Sequence, residues 1–307
     1  MMALLAATHV LIALSMPILL VGIVNRTKAL WAGRKGPRLL QMGSDLRRLL
    51  GKRPVYSAVA TPLFKAGAYV VLMASILAAM IAPILGSVSL VQFDYDFILF
   101  AYTLGLARIF LMLSAMDVGS SFESMGAARE ASFSAFIEPA LFLFVGAASV
   151  ATGHTSFAGL IGHLHQAASF RWMAVPAVVA LFILLQTEAA RVPVDDPLTH
   201  LELTMIHEVM ILDHSGPELA AMEYAAALKM SMYAGLIAAL LNPFDPIAEP
   251  GLCILLSLAL MLIVAVAVGC VESLTARLPM RWVPGYLLLA SLAAALCMAA
   301  VGWGALT

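Results

Sequence analysis

The side chains able to do chemistry in this sequence are carboxylates, and they are unevenly spread. Twelve of the eighteen (Asp117, Glu123, Glu130, Glu138, Glu188, Asp195, Asp196, Glu202, Glu208, Asp213, Glu218 and Glu223) fall between positions 117 and 223. Several are embedded in apolar sequence: Glu138 within AFIEPALFLF, Glu188 after ALFILLQT, and Glu223 at the opening of another apolar run. An ionised side chain at a bilayer centre costs about 2.5–3.5 kcal/mol on insertion scales, so such residues face a bundle interior or a wet cavity. Burial raises carboxyl pKa values, which lets such groups exchange protons near neutral pH. A row of them can pass protons or couple charge states along a membrane. That is the reading for Glu138, Glu188 and Glu223. Asp117, Glu123, Asp196, Glu208 and Glu218 read as solvated loop charges or helix caps. For Asp195, Glu202 and Asp213 both readings stay open.

The histidines His200, His207 and His214 recur every seven residues. On a helix their rings lie about 10 Å apart, too far to share one metal ion. They suit a polar face docking onto another subunit, with a pH-sensitive role open to them. Cys253, Cys270 and Cys297 lie singly in apolar runs and read as helix-packing residues. No phosphate-binding glycine loop, nucleophile elbow or iron–sulfur cysteine set is present, so the chain does not read as a self-sufficient enzyme.

The elements that must position these groups are transmembrane helices. The 307 residues are 63% hydrophobic and 11% charged. Soluble domains carry about 25% charged residues, and so few charges cannot cover a water-facing surface. Eight runs are long enough to cross about 30 Å of hydrocarbon: 3–24, 66–85, 97–116, 132–151, 172–190, 220–241, 252–271 and 283–303. The expected fold is all-α, a single polytopic membrane domain over 1–307. It carries a basic loop at 25–65 and an acidic loop at 191–219. Ten of the seventeen Lys and Arg residues lie between spans one and two. The positive-inside rule makes that loop cytoplasmic, with both termini outside and the first span an uncleaved anchor. Within it, Leu39, Met42, Leu46 and Leu49 recur at helical spacing beside Asp45, Arg47 and Arg48, which predicts an interfacial amphipathic helix. Its basic face suits lipid headgroups or an acidic partner.

Four ordered motifs carry a resemblance. Arg34, Gly36 and Pro37 in GRKGP precede Gln41 and Asp45. GAAREASFSAFIEP places Gly126, Arg129 and Glu138. TEAARVPVDD places Glu188, Arg191, Pro193 and Asp195. DHSG, with Asp213, Ser215 and Gly216, precedes Glu223-Tyr224. In this order the chain resembles the subunit 1 family of respiratory complex I. More closely, it is similar to the matching membrane subunit of group 4 [NiFe] hydrogenases, the formate hydrogenlyase subunit 4 and hydrogenase-4 component C type. One stretch departs from the complex I pattern of Phe-Asp-Leu and three alternating glutamates. Here Val194-Asp195-Asp196-Pro197 is followed by Leu198 and His200, and only Glu202 matches. That loop faces the quinone pocket in complex I, so the change favours the hydrogenase-like branch, which includes relatives without nickel.

The resemblance implies the heel of an L-shaped complex. The chain would anchor the redox arm and begin a polar path towards antiporter-like subunits that move protons or sodium ions. It implies coupling roles for Glu138, Glu188, Asp195, Glu202, Asp213 and Glu223, with Arg129 and Arg191 as their charge partners. Arg34, Gly36, Pro37, Arg38 and Asp45 would dock the peripheral arm. No cofactor or metal is expected in this chain. Iron–sulfur clusters, with nickel–iron where the branch keeps it, belong to partner subunits. Those partners are hydrogenase-like large and small subunits and antiporter-like membrane subunits in the cell inner membrane; nucleic acid is not among them. The alternatives are a quinone-site subunit of an NADH dehydrogenase-like complex, a stand-alone secondary ion transporter, and a passive scaffold.

Overall fold

The computed structural model describes residues 2–196 and 205–304. Among these residues, eight helices are long and apolar enough to cross a membrane. These are α1 (Met2–Trp31), α3 (Pro62–Ile81), α4 (Asp96–Asp117), α5 (Ser121–Thr152), α7 (Phe170–Glu188), α9 (Gly216–Leu241), α10 (Pro250–Leu274) and α11 (Val283–Gly304). Three short helices join them: α2 (Gln41–Leu50), α6 (Phe157–His163) and α8 (His207–Met210). Every expected span overlaps one of the eight long helices. The protein is an all-α polytopic membrane protein.

The central element is α9, which packs against α1, α2, α3, α6, α7 and α10. Its small residues permit this crowding: Ala225, Ala234, Ala238 and Ala239 are buried on several sides. By contrast, α10 and α11 turn Leu255, Ile263, Leu288, Leu292 and Leu296 outward, as helices bordering lipid do. The predicted amphipathic helix is α2. Met42, Leu46 and Leu49 are half-buried and Arg47 and Arg48 exposed, and the helix lies on α1 and α9. The approach to α2 crosses α1 at Gly22, where a Cβ would stand 1.8 Å from the Leu39 carbonyl oxygen.

Three sequence expectations change. The helix α5 begins at Ser121, eleven residues before the expected span, and its 32 residues extend about 48 Å. Glu138 therefore lies near mid-helix, about 26 Å from the start, not near the beginning of its span. The connection between α5 and α7 is not a bare loop: it holds α6, whose Phe157, Leu160 and Ile161 are buried. The histidines do not share one helical face: His207 opens the four-residue α8, and His214 lies beyond its end. His200 lies outside the described residues.

Candidate functional site

The site is built round a residue that the carboxylate pattern did not reveal. Arg108, 4% exposed and about 18 Å along α4, contacts three carboxylates. Its Nε lies 3.2 Å from Glu130 and its Nη1 3.2 Å from Glu138, both on α5. Its Nη2 pairs with Glu188 at the end of α7. The other Glu188 oxygen lies 3.4 Å from Nζ of Lys229, halfway along α9. Four spans thus converge on one ion cluster. An arginine inside an apolar span has to find such partners, because lipid offers none. Glu138 is the outermost member: its side chain is 52% exposed, on the outer surface of α5.

Asp195 forms a second knot after α7. It pairs with Arg277 at 3.0 Å and accepts hydrogen bonds from the backbone N–H groups of Ile206 and His207 at 3.2 and 2.7 Å. Burial pushes its carboxyl up from the usual aspartate range, with Arg277 and those N–H groups opposing. The short α8 then lies across α5, and Gly126 makes this possible: a Cβ there would meet Val209 Cγ1 at 2.3 Å. Gly126 is the glycine of the GAAR motif, so its requirement is steric.

Two cavities flank α8. The larger, about 260 Å³, is lined by Gln41, Asp45, Arg191, His207, Glu208 and Glu223 among others. The smaller, about 20 Å³, is lined by Glu130, Glu188, Asp195, His207 and Lys229 with apolar neighbours. A volume of about that size admits one water. Glu208 is pushed up to about 8 by burial and by the nearby Asp195 and Glu223, with Arg191 opposing. His207 is pulled down to about 4, first by burial and then by Lys229.

Other expected residues are placed differently. Asp213 is exposed, and its backbone N–H donates to Glu123 Oε1 at 3.0 Å. Glu202 lies outside the described residues. Among the described residues, the two expected charge partners form no ion pair with Glu138, Glu188, Asp195, Asp213 or Glu223. Arg191 pairs instead with Glu272 at 3.5 Å, which also holds Lys28 at 2.8 Å, and Arg129 donates to the Met205 carbonyl at 2.8 Å and contacts Met125 Sδ. The reason is reach: the cluster's cation comes from inside α4. Arg34, Pro37 and Arg38 are exposed beyond α1, and Gly36 packs against Arg26 and Ala29. Asp45 faces the larger cavity and is held by Gln41 and Arg48, so it is not part of that exposed surface.

Of the residues read as solvated charges or caps, Asp117 caps α3, accepting from the backbone N–H groups of Thr61 and Phe64. Glu123 and Glu218 are buried, not solvated. Glu218 accepts from Tyr56 Oη at 2.6 Å. Beside it, His214 is stacked on Phe64, and burial pulls it down to about 4. Among the described residues no three His, Cys, Asp or Glu side chains converge as a metal site.

The buried ion cluster, the carboxylate-lined cavity and the eight-span frame define a type of protein that comparison identifies. The family model described as NADH dehydrogenase matches residues 4–301. The chain belongs to this family. Within it, the chain is 28% identical over 259 residues to hydrogenase-4 component C of Escherichia coli (strain K12), covering 84% of this chain and 81% of that protein. It is 28% identical over 221 residues to formate hydrogenlyase subunit 4 of the same organism, covering 69% and 68%. Its fold matches a chain in the structure of the membrane-bound sulfane sulfur reductase, an archaeal respiratory membrane complex. The TM-score is 0.82 at 19% identity, over 98% of this chain and 99% of that one.

Proposed function

We propose that this NADH dehydrogenase family member is the membrane-anchor and energy-coupling subunit of an oxidoreductase complex of the group 4 hydrogenase type. Its carboxylates carry protons, or exchange them for sodium ions, between the redox arm and neighbouring membrane subunits. The observation that carries this reading is the continuous run of ionisable groups. It begins at Asp45, Glu208 and Glu223 round the larger cavity, passes the smaller cavity, and reaches the Arg108 cluster at mid-span.

The run ends on Glu138, a half-exposed carboxylate at mid-helix. Lipid is a costly neighbour for such a group, which favours a second, antiporter-like membrane subunit covering that face. At the other end, Arg34, Lys35, Arg38, Arg47 and Arg48 form an exposed basic surface suited to a peripheral arm with hydrogenase-like large and small subunits. Placing that surface in the cytoplasm puts both termini outside the cell inner membrane. The wall of the larger cavity holds three carboxylates, Asp45, Glu208 and Glu223, which supports proton exchange there.

Purification through a tag on this chain in mild detergent, with mass spectrometry and metal analysis, tests the assembly. Co-purifying redox subunits with iron and antiporter-like subunits are expected, with nickel marking a true hydrogenase. Recovery of a lone, metal-free chain that moves ions in liposomes would replace the proposal with a transporter.

A further inference from the structure

The two cavities are separate, yet they share two lining residues, Ala190 and His207. Alanine carries no proton. Among the described residues His207 is therefore the one titratable side chain facing both. On the larger side it has Asp45 of α2, Glu208 of α8, Glu223 of α9 and Arg191. On the smaller side it has Glu130 of α5, Glu188 of α7, Lys229 of α9 and Asp195. The residue is fixed in this partition by its backbone, whose N–H donates to Asp195 at 2.7 Å. Among the described residues its buried Nε2 has no hydrogen-bond partner. A buried, unpaired ring nitrogen is costly in a structural role and useful in a transfer role.

We propose that His207 is the proton-carrying gate between the two cavities. This rests on the coupling role argued above and names the step at which protons pass from the outer carboxylates to the ion cluster. The step balances. A proton from water in the larger cavity binds one ring nitrogen. The proton on the other nitrogen leaves for a carboxylate of the inner group, through the single water that the smaller cavity has room for. The ring returns to its first state by rotation or by tautomer exchange, with no net change in its charge. Imidazole suits this because its two ring nitrogens are distinct, so one can accept a proton while the other releases one. Burial and Lys229 hold the ring neutral at rest, so a proton does not lodge on it and block the next. Lys229 also stands on the inner side, where it opposes a resident cation.

The test uses the whole complex reconstituted in proteoliposomes, comparing the parent with His207→Gln, His207→Ala and Glu188→Gln. The readout is ions moved per electron pair. His207→Gln keeps a polar side chain of similar size but cannot relay a proton, and at least a tenfold fall in the ratio is expected. His207→Ala is expected to show the same fall and to recover on adding imidazole, which a packing role does not produce. Failure of imidazole to restore His207→Ala would overturn the gate. So would a parent-like ratio in His207→Gln while Glu188→Gln is impaired, with the coupling reading left standing. Parent-like ratios in both His207→Gln and Glu188→Gln would overturn the two together.

Discussion

Replacing Arg108 by Gln should destabilise the protein through specific carboxylates, and the structure sets the size of the effect. The Arg108 side chain is 4% exposed and contacts Glu130, Glu138 and Glu188. After substitution Lys229 still reaches Glu188 at 3.4 Å, but Glu130 and Glu138 lose the cation they touch. Removing one partner of a buried ion pair costs about 3–5 kcal/mol. Glu138 is 52% and Glu130 20% exposed at the side chain, so screening places the expected loss near the lower end, about 3 kcal/mol. If both glutamates are first changed to Gln, the same Arg108→Gln step should cost only about 1 kcal/mol. The coupling between the two steps is then about 2 kcal/mol, or roughly thirtyfold in the unfolding equilibrium. Equilibrium unfolding of the full chain in mixed micelles, followed through the four variants of this cycle, measures it. Equal costs in both backgrounds, within about 0.5 kcal/mol, would refute the claim that Arg108 holds these carboxylates.

Gly126→Ala should destabilise by about 1–3 kcal/mol. The usual helical gain of alanine over glycine, about 1 kcal/mol, is outweighed by the contact with Val209 at 2.3 Å; hydrogen exchange of 205–210 should rise. Tyr56→Phe removes a hydrogen bond to the buried Glu218 carboxylate and should cost about 1.5–3 kcal/mol, seen as faster proteolysis within 52–57. Glu208 has a folded pKa of about 8, above its ordinary value. Its contribution is therefore fully present below the unfolded pKa, near 4.5, and is lost as pH rises towards about 8. Protection of the 207–213 backbone, corrected for intrinsic exchange, should fall over that window relative to Glu208→Gln. An equal pH profile in the two proteins would contradict this.

The eight spans were legible because lipid demands long apolar runs, and the basic loop was legible because charge cannot be hidden there. Glu138 and Glu188 could be singled out because each interrupts such a run. The same reasoning extends to Arg108 in GLARIFLML and Lys229 in AALKMSMY. Each is a lone cation within an apolar span, and attention to carboxylates alone passed over both. The partners of Arg129 and Arg191 could not be read from spacing. A neighbouring carboxylate in sequence is not a neighbour across helices, and Glu272 reaches Arg191 from α10. The role of His207 is likewise invisible in sequence, since it depends on the break that isolates α8 from α9 and on which walls face each cavity.

The central claim is that the buried carboxylates couple electron transfer to ion movement. The most direct measurement is the number of ions moved per electron pair by the reconstituted complex, parent against Glu188→Gln. The expected result is an assembled complex whose redox turnover continues while ion movement falls to the leak rate. An unchanged ratio in the assembled variant would contradict the coupling role and leave this chain as an anchor alone.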